Sequence, residues 1–107
     1  MNIVKIQCEE IIDWNSFHAY FKKALGFPDY YGENMNAWID CMSYIDQEEL
    51  EIKIEAGSIL TLQLENVGEF SVRCKEIYDA LIECSAFVNY RRISTGTPPI
   101  LALSYHK

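Results

Sequence analysis

Three short apolar runs, residues 3–8, 59–65 and 100–105, are separated by stretches whose apolar residues recur at helical spacing. This alternation constrains the fold more than any other feature. Strands joined by helical crossovers pair in parallel, because a hairpin turn cannot connect them. The order reads strand, helix, helix, strand, long helix, strand. It predicts the α/β class, with a small parallel sheet packed with helices. Helices on one face alone would satisfy so short a sheet. The 107 residues fit one compact domain spanning 1–107, and the apolar half of the chain is enough for a core.

Local signals sharpen the pattern. In the run ILTLQLE, Leu60, Leu62 and Leu64 fall on one strand face. Asp13 is placed to cap a helix whose Trp14, Phe17, His18, Phe21 and Leu25 share a face. Lys22 and Lys23 lie in its last turn, where they complement the helix dipole, and Gly26 stops it. In the loop at 27–33, Pro28 sets a turn and Gly32 permits a tight backbone path. Asn34 is a candidate N-cap for a second helix running to about residue 45. At about 100° per residue, Met35, Trp38, Cys41, Met42 and Ile45 share its core side. Asn36, Asp40 and Ser43 share the opposite side, flanked by Ile39 and Tyr44. Residues 46–58 read either as a short edge strand or as an ordered loop. One helical pattern then runs from about Glu69 through Cys74, Ile77, Leu81 and Val88, as far as Arg92.

Charge is distributed unevenly. No Lys or Arg occurs between Ala24 and Ile52, while Asp29, Glu33, Asp40, Asp46, Glu48, Glu49 and Glu51 do. The remaining acids equal the chain's 9 Lys and Arg, so the whole net charge of −7 arises in this segment. Such a balance argues against nucleic-acid or anionic-membrane partners, whose phosphates would be repelled. No apolar run reaches the roughly 20 residues that span a bilayer. The N-terminal sequence lacks the pattern of a secretion signal, which leads to an expected cytoplasmic location. Cys8, Cys41, Cys74 and Cys84 form no CxxC pair and are expected as buried or half-buried thiols. Neither His18 nor His106 stands at metal-ligand spacing from a cysteine, so no metal or other cofactor is expected. A Cys41–His18 thiol pair is conceivable, but Cys41 points into the expected core, where a thiol is inert, and the chain is not read as an enzyme.

Charge runs are usually solvated faces, and Glu48, Glu49 and Glu51 are read so. Asp40 differs. It shares a helix face with Asn36 and Ser43, beside Ile39 and close to the Tyr30–Tyr31 turn. Tyrosines supply rigid contact area with a polar tip and gather at interfaces. The two need not share a job, since one can pack inward to hold the turn. The segment therefore reads as a protein-binding surface for a basic partner.

The continuous string FHAYFKKALGFPDYYGENMNAWIDCM, residues 17–42, resembles the barstar family of intracellular inhibitors of barnase-type ribonucleases. The resemblance implies a three-stranded parallel sheet with packed helices. It also implies a 1:1 complex of a monomer with a basic ribonuclease or ribonuclease-type toxin, in which a helix and its preceding loop block the active site. On this resemblance Tyr30 lies against the enzyme's catalytic residues, and Gly32 and Asn34 frame the helix start. Asp40 mimics a substrate phosphate, and Ser43 sits at the contact edge. The chain departs from the family at Asn36, where an aspartate is usual, and at Ile39, where an exposed tryptophan is usual. The contact glutamate of a later helix has no secure match, leaving Glu76, Asp79 and Glu83 as candidates. The alternative is a non-inhibitory interaction or regulatory module on the same scaffold. The decoy reading needs Asp40 exposed and not neutralised by an arginine of its own chain.

Overall fold

In the computed structural model, which describes residues 2–47, 54–55 and 57–107, three strands form one parallel sheet. They are β1 (Asn2–Gln7), β2 (Leu60–Glu65) and β3 (Leu101–Tyr105), with β2 in the centre. The register aligns Val4 with Leu62 and Leu62 with Leu103. Leu60, Leu62 and Leu64 are fully buried, as the alternation predicts, and Ile6 joins them on the same face. The other face carries the half-buried Thr61, Gln63 and Glu65 beside the exposed Ile3 and Lys5. The sheet therefore buries one face, and the helices gather there.

Helix α1 (Trp14–Leu25) begins at a reciprocal cap. Ser16 N–H donates to Asp13 Oδ1 at 2.8 Å, and Asp13 N–H donates to Ser16 Oγ at 3.0 Å. Gly26 ends the helix at φ 68°, a left-handed backbone that glycine adopts without a Cβ clash. Phe17, Phe21 and Leu25 are fully buried, and Trp38 of α2 (Met35–Ser43) packs against both phenyl rings.

The long helix expected from residue 69 is two helices. Helix α3 (Val67–Arg73) stops at Cys74, whose backbone leaves helical geometry at φ −126°, ψ 53°, and α4 (Lys75–Ser94) follows at once. Arg73 holds the break in place. Its guanidinium donates to the carbonyls of Ile11 at 2.6 Å and Cys8 at 3.1 Å, tying the junction to the segment after β1. Of the ambiguous stretch 46–58, Leu50 and Ile52 lie outside the described residues. Ile54 is buried and belongs to no strand.

Helix α2 has 9 residues, about 13 Å, too short to hold itself in water. It is secured at both ends. Ala37 N–H donates to Asn34 Oδ1 at 2.8 Å at the start. At the finish, Arg92 of α4 donates through Nη1 to the carbonyl of Ser43 at 2.8 Å. The same guanidinium forks onto Asp46 at 3.0 and 2.9 Å, and its Nε reaches the carbonyl of Pro98 at 2.7 Å. Both side chains of the Arg92–Asp46 pair are almost fully buried. Removing one partner of such a pair leaves a buried charge without compensation. Asp46→Ala should therefore lower the unfolding free energy by about 3–5 kcal/mol, read by urea denaturation followed by circular dichroism. A loss below about 1 kcal/mol would match an exposed pair instead.

Candidate interaction surface

The turn before α2 divides its two tyrosines. Tyr30 is 80% exposed, whereas Tyr31 is buried against Phe27 and His18. The Tyr31 hydroxyl and His18 Nδ1 share a hydrogen bond of 2.5 Å. Burial lowers the pKa of His18, with the Glu33 carboxylate pulling weakly the other way, and burial raises that of Tyr31. Both are neutral near pH 7. The inward tyrosine thus anchors the turn and the outward one is offered to solvent. Gly32 does not use a left-handed backbone; Glu33 does, at φ 53°. Asn34 Nδ2 donates to the Gly32 carbonyl at 3.2 Å, which folds the turn onto the helix start.

Helix α2 is covered on two sides. Trp38, Met42 and Ile45 meet the core, as the wheel predicts. Helix α4 packs on a second side and buries two residues expected at the surface. Ile39 is 9% exposed and Ser43 is 4% exposed. Ser43 Oγ donates to the Ile39 carbonyl at 2.6 Å, so its hydroxyl serves the helix and not a contact edge. Neither residue is available to a partner. What remains outside is a strip of Tyr30, Glu33, Asn34, Asn36, Asp40 and Tyr44.

Asp40 projects from the middle of this strip with its side chain 66% exposed, but it is not alone. Arg91 Nη1 of α4 donates to Asp40 Oδ1 at 3.0 Å. Of the two conditions on the decoy reading, exposure is met, whereas an arginine of the same chain does pair with Asp40, through one of its two oxygens. Among the described residues, the acidic segment, uncompensated along the sequence, receives two cations in three dimensions: Arg91 on Asp40 and Arg92 on Asp46. No protein group among the described residues bonds Asp40 Oδ2.

The α4 position that joins this surface is basic, not acidic. Glu76 takes the Trp14 Nε1–H at 3.4 Å and Asp79 pairs with Lys75 at 2.7 Å. With Glu83, they lie roughly 12–22 Å from Arg91 along the helix axis at its usual rise. None is the neighbour of Asp40. Sequence reasoning missed Arg91, and its only signal is that adjacent arginines on a helix point about 100° apart. Beyond Asp40, Arg91 lines a groove of about 300 Å³ together with Tyr44, Gln47, Tyr90, Thr95 and Thr97.

No disulfide joins the cysteines: Cys8 and Cys74 are buried, Cys41 and Cys84 half-buried. Burial pushes the Cys8 thiol up to about 12, far from thiolate chemistry. Among the described residues no cluster of His, Cys, Asp or Glu is arranged to hold a metal ion, and no helix is long and apolar enough to cross a membrane.

A three-stranded parallel sheet with helices on one face, presenting a capped helix behind a tyrosine turn, defines a small α/β fold. The family model described as "Barstar (barnase inhibitor)" matches residues 1–99, and the chain belongs to that family. None of the curated proteins searched matches the chain.

The His18–Tyr31 bond carries two expectations. Tyr31→Phe leaves the buried His18 nitrogen without its partner and should cost about 1–3 kcal/mol of stability, measured by urea unfolding. His18 has a folded-state pKa below its unfolded value of 6.5. The unfolded chain therefore takes up the proton first as pH falls. Unfolding free energy should decline as the pH drops through about 6.5 and continue down to the folded-state value. His18→Gln should flatten that slope between about pH 7.5 and 5; an unchanged slope assigns the pH dependence to other groups.

Proposed function

We propose that this chain is a cytoplasmic inhibitor that binds, one to one, the active-site cleft of a basic secreted ribonuclease or ribonuclease-type toxin. Membership of a family described as barnase inhibitors supports the reading. The observation that carries it is the carboxylate of Asp40, exposed on a short helix secured at both ends. Ribonuclease clefts are basic because they bind phosphates, so a carboxylate held on a rigid element imitates the substrate's charge. Tyr30 offers a rigid ring to the cleft, Gly32 and Asn34 set the angle of approach, and Asn36 and Tyr44 flank the carboxylate.

The Arg91 bond does not cancel this role. An exposed ion pair contributes at most about 1 kcal/mol and is screened by salt. It occupies one carboxylate oxygen, and a carboxylate accepts several hydrogen bonds. A cation of a partner, desolvated at the interface, forms a stronger charge-assisted bond than a solvated arginine.

Asp40→Ala should weaken binding to a barnase-type ribonuclease by about 2 kcal/mol or more, the general threshold of an interface hot spot, while the thermal unfolding temperature stays close to the parent's. Isothermal titration calorimetry at two salt concentrations checks both the loss and its electrostatic origin. Equal affinity of parent and variant removes Asp40 from the surface. The second reading, a non-inhibitory interaction module, is favoured by the internal Asp40–Arg91 pair and by the uncharged Asn36. It predicts a complex with a non-nuclease protein and full ribonuclease activity in the presence of the chain.

A further inference from the structure

We propose that the partner carries a carboxylate that docks on Arg91 in the groove between Tyr44 and Tyr90, beside the cation that meets Asp40. The proposal rests on the inhibitor reading and specifies the surface its ribonuclease must present. The exposed strip of α2 meets the last turns of α4 at the Asp40–Arg91 bond and at the groove lined by Tyr44 and Tyr90. Asp40 and Arg91 touch, and Tyr44 and Tyr90 wall the same groove of about 300 Å³. Both tyrosine side chains are exposed, and Phe87 stacks near Tyr90 with ring centroids 6.2 Å apart.

Among the described residues the available charge of the groove comes from one side chain. Arg92 also lines it, but its guanidinium is spent on Asp46, Ser43 and Pro98. The Arg91 side chain is 35% exposed, and among the described residues its one side-chain bond is a single Nη1 contact to Asp40. A guanidinium has five N–H donors, so that contact uses a small part of its capacity. Gln47 and Ser94 add polar groups to the lining, and Thr95 and Thr97 turn their hydroxyls to the carbonyls of α4.

Consider a partner whose cleft is only positive. Its cation on Asp40 lies beside Arg91, and closing the interface strips water from two like charges. That arrangement costs affinity in proportion to the desolvation. A carboxylate on the partner removes the conflict. It takes Arg91's spare donors, leaves Asp40 to the partner's cation, and turns one internal pair into a four-charge alternation across the interface. Tyrosine walls around a charged pair are the surroundings in which such a contact is desolvated and gains strength. The α4 contact therefore has the sign opposite to Asp40, and the partner's surface must alternate in sign to match.

The test measures binding of the parent, Asp40→Ala, Arg91→Ala, Arg91→Lys and Arg91→Glu to a panel of barnase-type ribonucleases that includes barnase. Circular dichroism and thermal unfolding confirm that each variant folds. For a ribonuclease that binds the parent, Arg91→Ala should raise the Kd at least about tenfold, and Arg91→Glu further. Arg91→Lys should recover part of the loss, because charge returns without the planar fork. Replacing acidic residues of the bound ribonuclease by their amides, one at a time, should find one whose effect vanishes in the Arg91→Ala background. If Asp40→Ala weakens binding but Arg91→Ala leaves it equal or tighter, Arg91 is only a cover over Asp40; the inference is wrong and the inhibitor reading stands. If no ribonuclease binds the parent, the inhibitor reading falls and the inference with it; if Asp40→Ala binds as the parent does, Asp40 is off the surface and the inference falls while the inhibitor reading stands.

Discussion

A single buried guanidinium holds together the end of α2 and the segments packed against it. Arg92 joins the end of α2, the carboxylate of Asp46 and the carbonyl of Pro98 in the approach to β3. A charge in that position is tolerated because its donors meet acceptors in planar, forked geometry. Helix α2 has no basic residue in its own last turn, so the positive charge that complements its C-terminal dipole comes from α4. With the Asn34 cap at the other end, a helix too short to persist alone becomes a rigid platform. The angle at which Asp40 leaves the surface depends on this clamp, although Arg92 itself reaches no solvent-facing group of the strip.

Two arginines in sequence illustrate how burial changes the meaning of one chemical contact. Arg92 pairs with Asp46 inside the protein, where loss of either partner strands a charge. Arg91 pairs with Asp40 at the surface, at nearly the same distance, where solvent screens the pair and its loss strands no buried charge. The first contact therefore belongs to stability, and the second contributes little to it and belongs, on the proposed function, to recognition. The neighbouring Tyr30–Tyr31 pair divides in the same manner, one ring buried against His18 and the other in solvent. In both pairs, adjacent residues separate anchoring from presentation, and the exposed member inherits its position from the buried one.

Much of this was legible in the sequence because it depends on short-range chemistry. The Asp13 and Asn34 caps, the Gly26 stop, the leucines of β2 and the parallel connections follow from local residue type and periodicity. The break at Cys74 was not legible. Val67, Phe70, Cys74, Ile77, Leu81 and Val88 keep one helical stripe through the junction, with no Gly or Pro at the break, so the pattern reads as continuous. The hydrogen bonds of Arg73 that hold the junction are made to residues about sixty positions earlier. Ile39 and Ser43 were misplaced for a related reason. A wheel assumes one buried face, and α2 has two neighbours, the core and α4. Asp40 was correctly placed outside, but the arginine beside it lies 51 residues away, beyond the reach of any local pattern.

That arginine changes what the surface can select. A lone carboxylate attracts any positive cleft, which favours fast association over discrimination. An exposed Asp40–Arg91 pair has little net field at long range, because the two charges are 3.0 Å apart and water screens their sum. At contact it is a directional pattern, favourable to a complementary pair and unfavourable to a surface of one sign. Specificity then comes from repulsion of the wrong partner as much as from attraction to the right one. Asn36, uncharged on the same strip, points the same way: without a second acid there, general attraction to basic surfaces is weaker. If the proposed partner exists, a face of this kind reads the order of charges and not their sum alone.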